Sequence, residues 1–348
     1  MYRCIDHSAD PDVATCSESA GGASVDYYSY AYPQDPIVSG MIAESGSVTS
    51  FSNPPLMNNS AFWYNTSAAV GCPTNDAKAS VSCMRTKSMV DILNASKVVN
   101  PLQAVLGHFG PTVDNKVVFS DYKERAAAGK FIQKPYMNGN NHKESGLFEL
   151  IGGAAKLNIP SNIWPVFNAA VFTCPVSKAA AARAAKGLIT YRYRYFGDFP
   201  NTELQPNNKG AWHTAEIPQI FGTTESATGE PNTPFESKLS KFMQATWATF
   251  AKDPASLQQS PFNLPLYDSK DDFKKTLIGF GAYENVTHTF LPPLNYDMYC
   301  DSIESITESI PGGINAAIQN VAAGGDMGIP GLKVSELPDM SPPPLPPQ

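Results

Sequence analysis

"TCSESAGGASVDYYSYAY", residues 15–32, is the stretch on which the fold reading turns. Residues 12–16 have the character of a short strand, and from Ala20 the chain reads as a helix through Tyr27-Tyr28-Ser29-Tyr30. A strand, a serine among small residues and then a helix is the layout of a nucleophile elbow, usually written G-x-S-x-G. The neighbours must be small because the turn is so sharp that strand and helix nearly touch. The turn lifts the serine hydroxyl clear of the backbone, and the next N–H can face a developing oxyanion. Here the central serine is Ser19, and Ser17 stands where the first glycine is usual. Read alone, Ser17 to Gly22 also describe an ordinary Ser/Gly-rich loop, so the rest of the chain has to decide.

Working outward, "SGMIAESG" (39–46) reads as a buried strand ending in glycine, and "SMVDILNASKVV" has helical apolar spacing. "FIQKPYMNGNN" predicts a strand running into a loop, with Pro135 limiting where it can pair. The Ala-rich "SNIWPVFNAAVFTCPVSKAAAARAAKG" predicts helix ended by Gly187. "LITYRYRYFGDF" alternates Tyr and Arg, which predicts a strand with one polar face. "ESKLSKFMQATWATFAKDP" is an amphipathic helix closed by Asp253-Pro254, and "KTLIGFGAY" is a late strand. Strands alternating with long helices predict an α/β layered fold, a mostly parallel sheet with flanking helices. In such sheets function sits in loops beyond the carboxyl ends of the strands. One domain is expected over 1–324, followed by a Pro-rich tail, 325–348, that cannot pack.

Composition narrows the function classes. The net charge is -7 and there is no Lys/Arg cluster, which argues against nucleic acid and anionic membrane as partners. No apolar run approaches the length of a membrane span, so no integral membrane segment is expected. Six cysteines and four Asn-x-Ser/Thr sequons, at Asn58, Asn65, Asn94 and Asn285, point to a secreted protein. The opening "MYRCIDHSAD" has no apolar signal-peptide core, so a secreted-looking body is expected to lack its front. His213 and Glu216, or His142 and Glu144, have no third partner at metal-ligand spacing, so no metal is expected. Neither a P-loop nor a G-x-G-x-x-G is present, so no nucleotide cofactor is expected. Oligomeric state is left open.

Two further stretches bear on Ser19. "NGNNHKESGLF" (138–148) puts Glu144 in a loop after a strand, and "KGAWHTAEIPQIFG" (209–222) puts His213 in a loop before an apolar segment. Singly, Glu144 reads as a solvated loop acid and His213 as a structural histidine. Together with Ser19, they follow the order Ser, Glu, His of an α/β-hydrolase triad.

The chain resembles the type-B carboxylesterases, the family of cholinesterases, fungal lipases and broad-specificity secreted esterases, and most of all its secreted fungal members. Matching segments run from "DPDVATCSESAGGASV" to "MYCDSI" and include "MIAESGS", "PTVDNKVVFSDYKERAAAGKFIQKPYMNGNNHKESGLF", "FTCP", "YRYRYFGDFPN", "GAWHTAEIPQIFG" and "MQATWATFAKDP". The resemblance implies an α/β-hydrolase fold and a carboxylic ester hydrolase acting on a small-molecule or lipid ester. It implies Ser19 as nucleophile, His213 as general base and acid, Glu144 as its orienting carboxylate and Ala20 N–H as an oxyanion donor. Glu18 and Ser45 match positions close to the triad. It also implies disulfides Cys72–Cys83 and Cys174–Cys300, while Cys4 and Cys16 match nothing in the family. Trp63, Phe62, Phe148 and Trp212 are candidates for lining a substrate pocket.

The match begins just before the nucleophile strand and covers roughly the C-terminal two-thirds of a family member. The first strands of the sheet and the His-Gly-Gly-Gly type loop, which supplies most of the oxyanion hole, are expected to be missing. One lost oxyanion donor typically costs about 2.7–4 kcal/mol of transition-state stabilisation. A recognisable fold with reduced stability and activity is therefore expected, and an inactive binding module or a truncated gene product are the rival readings. Val13-Ala14-Thr15-Cys16 is also one residue short of the family's usual spacing. A one-residue slip turns a strand's side chains over, so register and tightness at the elbow are in question.

Overall fold

The computed structural model describes residues 2–3, 14–34, 37–50, 59–96, 110–205 and 209–309. Cys4, Asn58 and the Pro-rich tail lie outside them. The described strands form one seven-stranded sheet whose spatial order equals its chain order. The strands are β1 (Tyr2–Arg3), β2 (Thr15–Glu18), β3 (Met41–Glu44), β4 (Tyr136–Asn141), β5 (Thr190–Tyr195), β6 (Leu277–Phe280) and β7 (Thr289–Leu291). The run β2 to β6 is parallel, while β1 and β7 pair antiparallel at the two ends.

Helices separate the parallel strands and cover both faces. In chain order they are α1 (Ala20–Ala31), α2 (Asn59–Ala69), α3 (Ala77–Met84), α4 (Met89–Ala95), α5 (Tyr122–Ala128), α6 (Ser145–Ala154), α7 (Ile163–Asn168), α8 (Cys174–Ala184), α9 (Ile217–Phe221), α10 (Thr224–Thr228), α11 (Pro234–Lys252), α12 (Leu294–Asp297) and α13 (Cys300–Ser309). A π-helical turn, Ala169–Thr173, joins α7 to α8. The longest helix, α11, begins with a capping box in which Thr233 Oγ1 accepts from Glu236 N and Glu236 Oε2 from Thr233 N. Its Leu239, Met243, Trp247 and Phe250 repeat at helical spacing and bury one stripe against the sheet.

Covering both faces changes the reading of β5. The Tyr/Arg alternation predicts a polar face, and a polar face exists, but all six residues are buried. Parallel sheets are packed on both sides, so the arginines cannot reach water. Tyr191, Tyr193 and Tyr195 join the cluster under α11. On the opposite face Arg192 is held by both carboxylate oxygens of Asp297. Arg194 lies over the Tyr296 ring at 4.6 Å.

A third buried arginine ties two helices together. Arg183 of α8 pairs with Asp26 of α1, both side chains being fully buried. Asp26 also accepts from Val48 N at 2.9 Å, and Arg183 lies 4.2 Å over Tyr136 and 4.7 Å over Phe131. Disulfides Cys72–Cys83 and Cys174–Cys300 are formed, the second closing 126 residues of chain and tying α13 to α8. Removing one partner of a buried pair leaves the other charge uncompensated, at about 3–5 kcal/mol. Asp26→Asn is expected to lower unfolding stability by about that amount. Urea titration checks this, and a midpoint within experimental scatter of the parent would contradict it.

Candidate active site

The carboxyl ends of β2, β3 and β4 point at one place. Ser19 follows β2 directly and has φ 59° and ψ -121°, a positive-φ conformation that costs a non-glycine residue energy. The turn holds because strand and helix interlock there. Ser19 N donates to Glu44 O at 2.8 Å and Ala23 N to Ser19 O at 2.9 Å. A methyl group at Gly22 would lie 2.4 Å from Glu44 O. At Gly21 it would lie 1.9 Å from Ser17 Oγ, so Gly21 leaves the room that Ser17 fills in place of the usual glycine. The strand enters the turn in continuous register, Thr15 to Glu18 opposite Met41 to Glu44. The short spacer therefore does not displace the elbow.

Three side chains meet at this point. Ser19 Oγ lies 2.7 Å from His213 Nε2, and His213 Nδ1 lies 2.5 Å from Glu144 Oε2. A carboxylate only accepts, so Nδ1 carries the proton and Nε2 is left to accept from the serine hydroxyl. Glu144 is fully buried at the start of α6, and its Oε1 accepts from Ser45 Oγ and from Asn141 N, both at 2.6 Å. Ser45, in the turn after β3, has φ 50°. His213 is 4% exposed, with Phe172 and Phe148 ring centroids 4.9 and 5.3 Å from its own. Ala20, exposed, opens α1, where helix N–H groups have no intrahelical acceptor.

Three more carboxyls surround this group, and they behave differently. Burial, reinforced by Glu216, Glu144 and Glu44, pushes Glu18 up to about 10. Its Oε1 approaches His213 Nε2 to 3.2 Å, yet it has no aligned hydrogen bond there. At neutral pH it is therefore a neutral neighbour of the imidazole and not its ion-pair partner. Burial raises Glu44 to about 7, opposed by the indole N–H of Trp247 donating to it. Glu216 is pushed well above the usual range by burial, then by Glu144 and Glu44. Asn141 links two loops, donating its amide to Glu216 and, at 2.7 Å, to Trp212 O. Sequence reasoning missed Glu44, Asn141 and the carboxyl role of Glu216. An acid inside the apolar run of "MIAESG" was the available signal for Glu44.

A cavity of about 320 Å³ opens beside Glu18, lined by Glu44, Trp212, Thr214, Ile217 and Phe221 among others. Of the four aromatic candidates, Trp212 lines this cavity and Phe148 packs on His213. Trp63, beside Phe62 on α2, instead donates its indole N–H to Ser80 of α3 at 2.9 Å. Asn65 and Asn94 are exposed, and Asn285 is half-buried with Oδ1 accepting from Thr287 N and Oγ1. Cys16 is also disulfide-bonded. Among the described residues, no group of three His, Cys, Asp or Glu could hold a metal ion, and no helix is long and apolar enough to cross a membrane.

The raised Glu44 has a consequence for stability. As pH rises from 4.5, the unfolded chain releases this proton first, so the folded state loses stability until about pH 7. Glu44→Gln keeps an acceptor for Trp247 and removes the titration. It should equal the parent at pH 4 and exceed it by about 3 kcal/mol at pH 8, since each tenfold difference in proton affinity is worth about 1.4 kcal/mol. Chemical denaturation at the two pH values checks this, and equal offsets at both would contradict it.

The model of the Carboxylesterase family matches residues 9–162 and 158–279. A chlorogenic acid esterase of Aspergillus niger is 35% identical over 246 residues, covering 70% of this chain and 46% of the relative. Secreted lipase 5 of Gibberella zeae is 31% identical over 301 residues, covering 81% of this chain and 54% of the relative. The chain thus spans about half the length of these relatives. A solved structure of PNB esterase superposes with a TM-score of 0.63 at 19% identity, covering 84% of this chain and 63% of that one, which is a likeness of fold. Sheet order, elbow and family match agree, and the chain belongs to the carboxylesterase family, with an α/β-hydrolase fold.

Proposed function

We propose that this chain carries the acyl-transfer machinery of a serine carboxylic ester hydrolase, with Ser19 as nucleophile, His213 as general base and acid, and Glu144 as the orienting carboxylate. The observation that carries the reading is the continuous series Ser19 Oγ, His213 Nε2, His213 Nδ1, Glu144 Oε2, with links of 2.7 and 2.5 Å. Ser19 Oγ attacks the ester carbonyl carbon as its proton passes to His213 Nε2. The oxyanion so formed faces the N–H of Ala20. Collapse breaks the ester C–O bond, and His213 returns the proton to the departing alkoxide, leaving an acyl group on Ser19. Water then attacks the acyl carbon as its proton passes to His213, the bond from that carbon to Ser19 Oγ breaks, and His213 returns the proton to Oγ as the carboxylic acid leaves.

Glu144 fixes the imidazole tautomer and stabilises the imidazolium formed at each attack. Ser45 and Asn141 hold that carboxylate, and neutral Glu18 keeps a second negative charge away from Nε2. The substrate class is a small-molecule or lipid carboxylic ester, one part of which would occupy the cavity beside Glu18. Two disulfides, three exposed or half-buried sequon asparagines and a relative named as a secreted lipase support an extracellular, glycosylated protein.

The test is intact-mass analysis after incubation with a fluorophosphonate, which phosphonylates activated serines. One adduct is expected on the parent and none on Ser19→Ala. His213→Gln should slow labelling by about 10⁴-fold or more. No adduct on protein shown to be folded would instead favour a binding module of the same fold.

A further inference from the structure

His213 sits on a turn, 211–216, between β5 and α9. Ala215 N–H closes the turn on Trp212 O at 3.0 Å, and Lys143 N–H holds its start at Ala211 O, 2.9 Å away. One residue past the histidine, Thr214 has φ 79°, a left-handed conformation that a β-branched residue adopts unwillingly. Such a turn keeps its shape only while its surroundings hold it. The rings of Phe172 and Phe148 pack on the imidazole, but apolar contacts have no direction and do not fix where it points.

The side chain that spans the turn is Asn141. Its one amide nitrogen donates to Trp212 O at 2.7 Å and to Glu216 Oε2, so it grips the turn on both sides of His213. A carbonyl such as Trp212 O only accepts, so the nitrogen and not the oxygen of the amide has to face it. Among the described residues Asn141 Oδ1 is left buried with no hydrogen-bond partner, which is unfavourable. The amide is therefore committed to its two donor contacts, and a group of another polarity does not replace it. The Trp212 indole N–H donates separately to Thr202 O at 2.7 Å, which fixes the ring and not the carbonyl beside His213.

Asn141 also holds the other partner of the imidazole. Its main-chain N–H donates to Glu144 Oε1 at 2.6 Å, while Glu144 Oε2 meets His213 Nδ1 at 2.5 Å. Fully buried at the end of β4 and paired with Tyr195 of β5, it works from a fixed point in the sheet. We infer that Asn141 is a positioning residue that sets the separation of Glu144 and His213, its main-chain N–H seating the carboxylate and its side-chain amide seating the histidine turn through Trp212 O and Glu216. This rests on the serine-hydrolase reading above. Without the two side-chain donors Trp212 O is released, Thr214 relaxes, and His213 Nε2 moves off Ser19 Oγ. A misplacement of about 1 Å can cost about 10²-fold in rate.

The experiment compares the full-length parent with Asn141→Asp and Asn141→Ala. Asn141→Asp is nearly isosteric, keeps the main-chain N–H to Glu144 and removes both side-chain donors. Asn141→Ala removes them without burying a new charge and carries the test should Asn141→Asp not fold, which circular dichroism and urea unfolding establish. Two quantities are read: the rate of Ser19 phosphonylation at saturating fluorophosphonate, and the far-downfield proton resonance of a short N–H to carboxylate bond. The resonance is assigned to His213 Nδ1–H by its absence from His213→Gln. Folded variants are expected to label about 100-fold more slowly than the parent, with the resonance shifted or broadened. A rate within scatter of the parent's, whatever happens to the urea midpoint, would overturn the inference. So would a slowed rate with the resonance unchanged. A parent that takes no label would be a failure of the serine-hydrolase reading, seen before any variant is made.

Discussion

The constraint on which the rest depends is the contact between β2 and α1 across Ser19. A serine held at φ 59° is unfavourable in isolation, and it persists because Gly21 and Gly22 let the helix approach the strand ends closely. The Ser19 N–H is used by Glu44 O and its carbonyl by Ala23 N. With its backbone satisfied on both sides, the residue turns its hydroxyl toward His213 and caps nothing. Moving either neighbour would require α1 or β3 to move, so the aim of the hydroxyl is set by packing of whole elements.

A second organising feature is how this fold handles buried charge. Two arginines of the sheet and its helices take a carboxylate each, whereas four glutamyl side chains crowd the carboxyl ends of β2, β3 and β4 and the start of α9. Low dielectric and mutual repulsion make it costly for all four to ionise together. Glu18, Glu44 and Glu216 are all pushed up by burial, while Glu144 is the one of the four whose oxygens meet His213 Nδ1, the Ser45 hydroxyl and Asn141 N. The same low dielectric strengthens whatever charge remains, which is why orientation by Ser45 and Asn141 matters at that one site.

Much of this was legible in the chain. Ser19, Glu144 and His213 occur in hydrolase order, and each follows a segment whose composition marks it as strand or loop. Apolar runs separated by helical periodicity identified β3, β4, β6 and α11. Other features were not legible. The alternation in "TYRYRY" implied a wet face, because periodicity reports polarity and says nothing of what packs on top. The elbow's register looked doubtful from spacing alone, since a strand's pairing is a property of two segments. Trp63 resembled a pocket residue by type, yet its indole serves α3.

By itself, then, the sequence determined the order of elements and singled out Ser19, Glu144 and His213, the three side chains that meet at the elbow, since these depend on local pattern and on side-chain chemistry. Tertiary structure decided which acids are pushed above the usual carboxyl range, that Arg183 meets Asp26 and Arg192 meets Asp297, and that Asn141 joins the loops of Glu144 and His213. Those outcomes arise from burial and from distances between residues far apart in the chain, such as the 194 positions separating Ser19 from His213. Electrostatic energies at such contacts depend on the surrounding dielectric and on separation, and neither exists until the sheet has assembled.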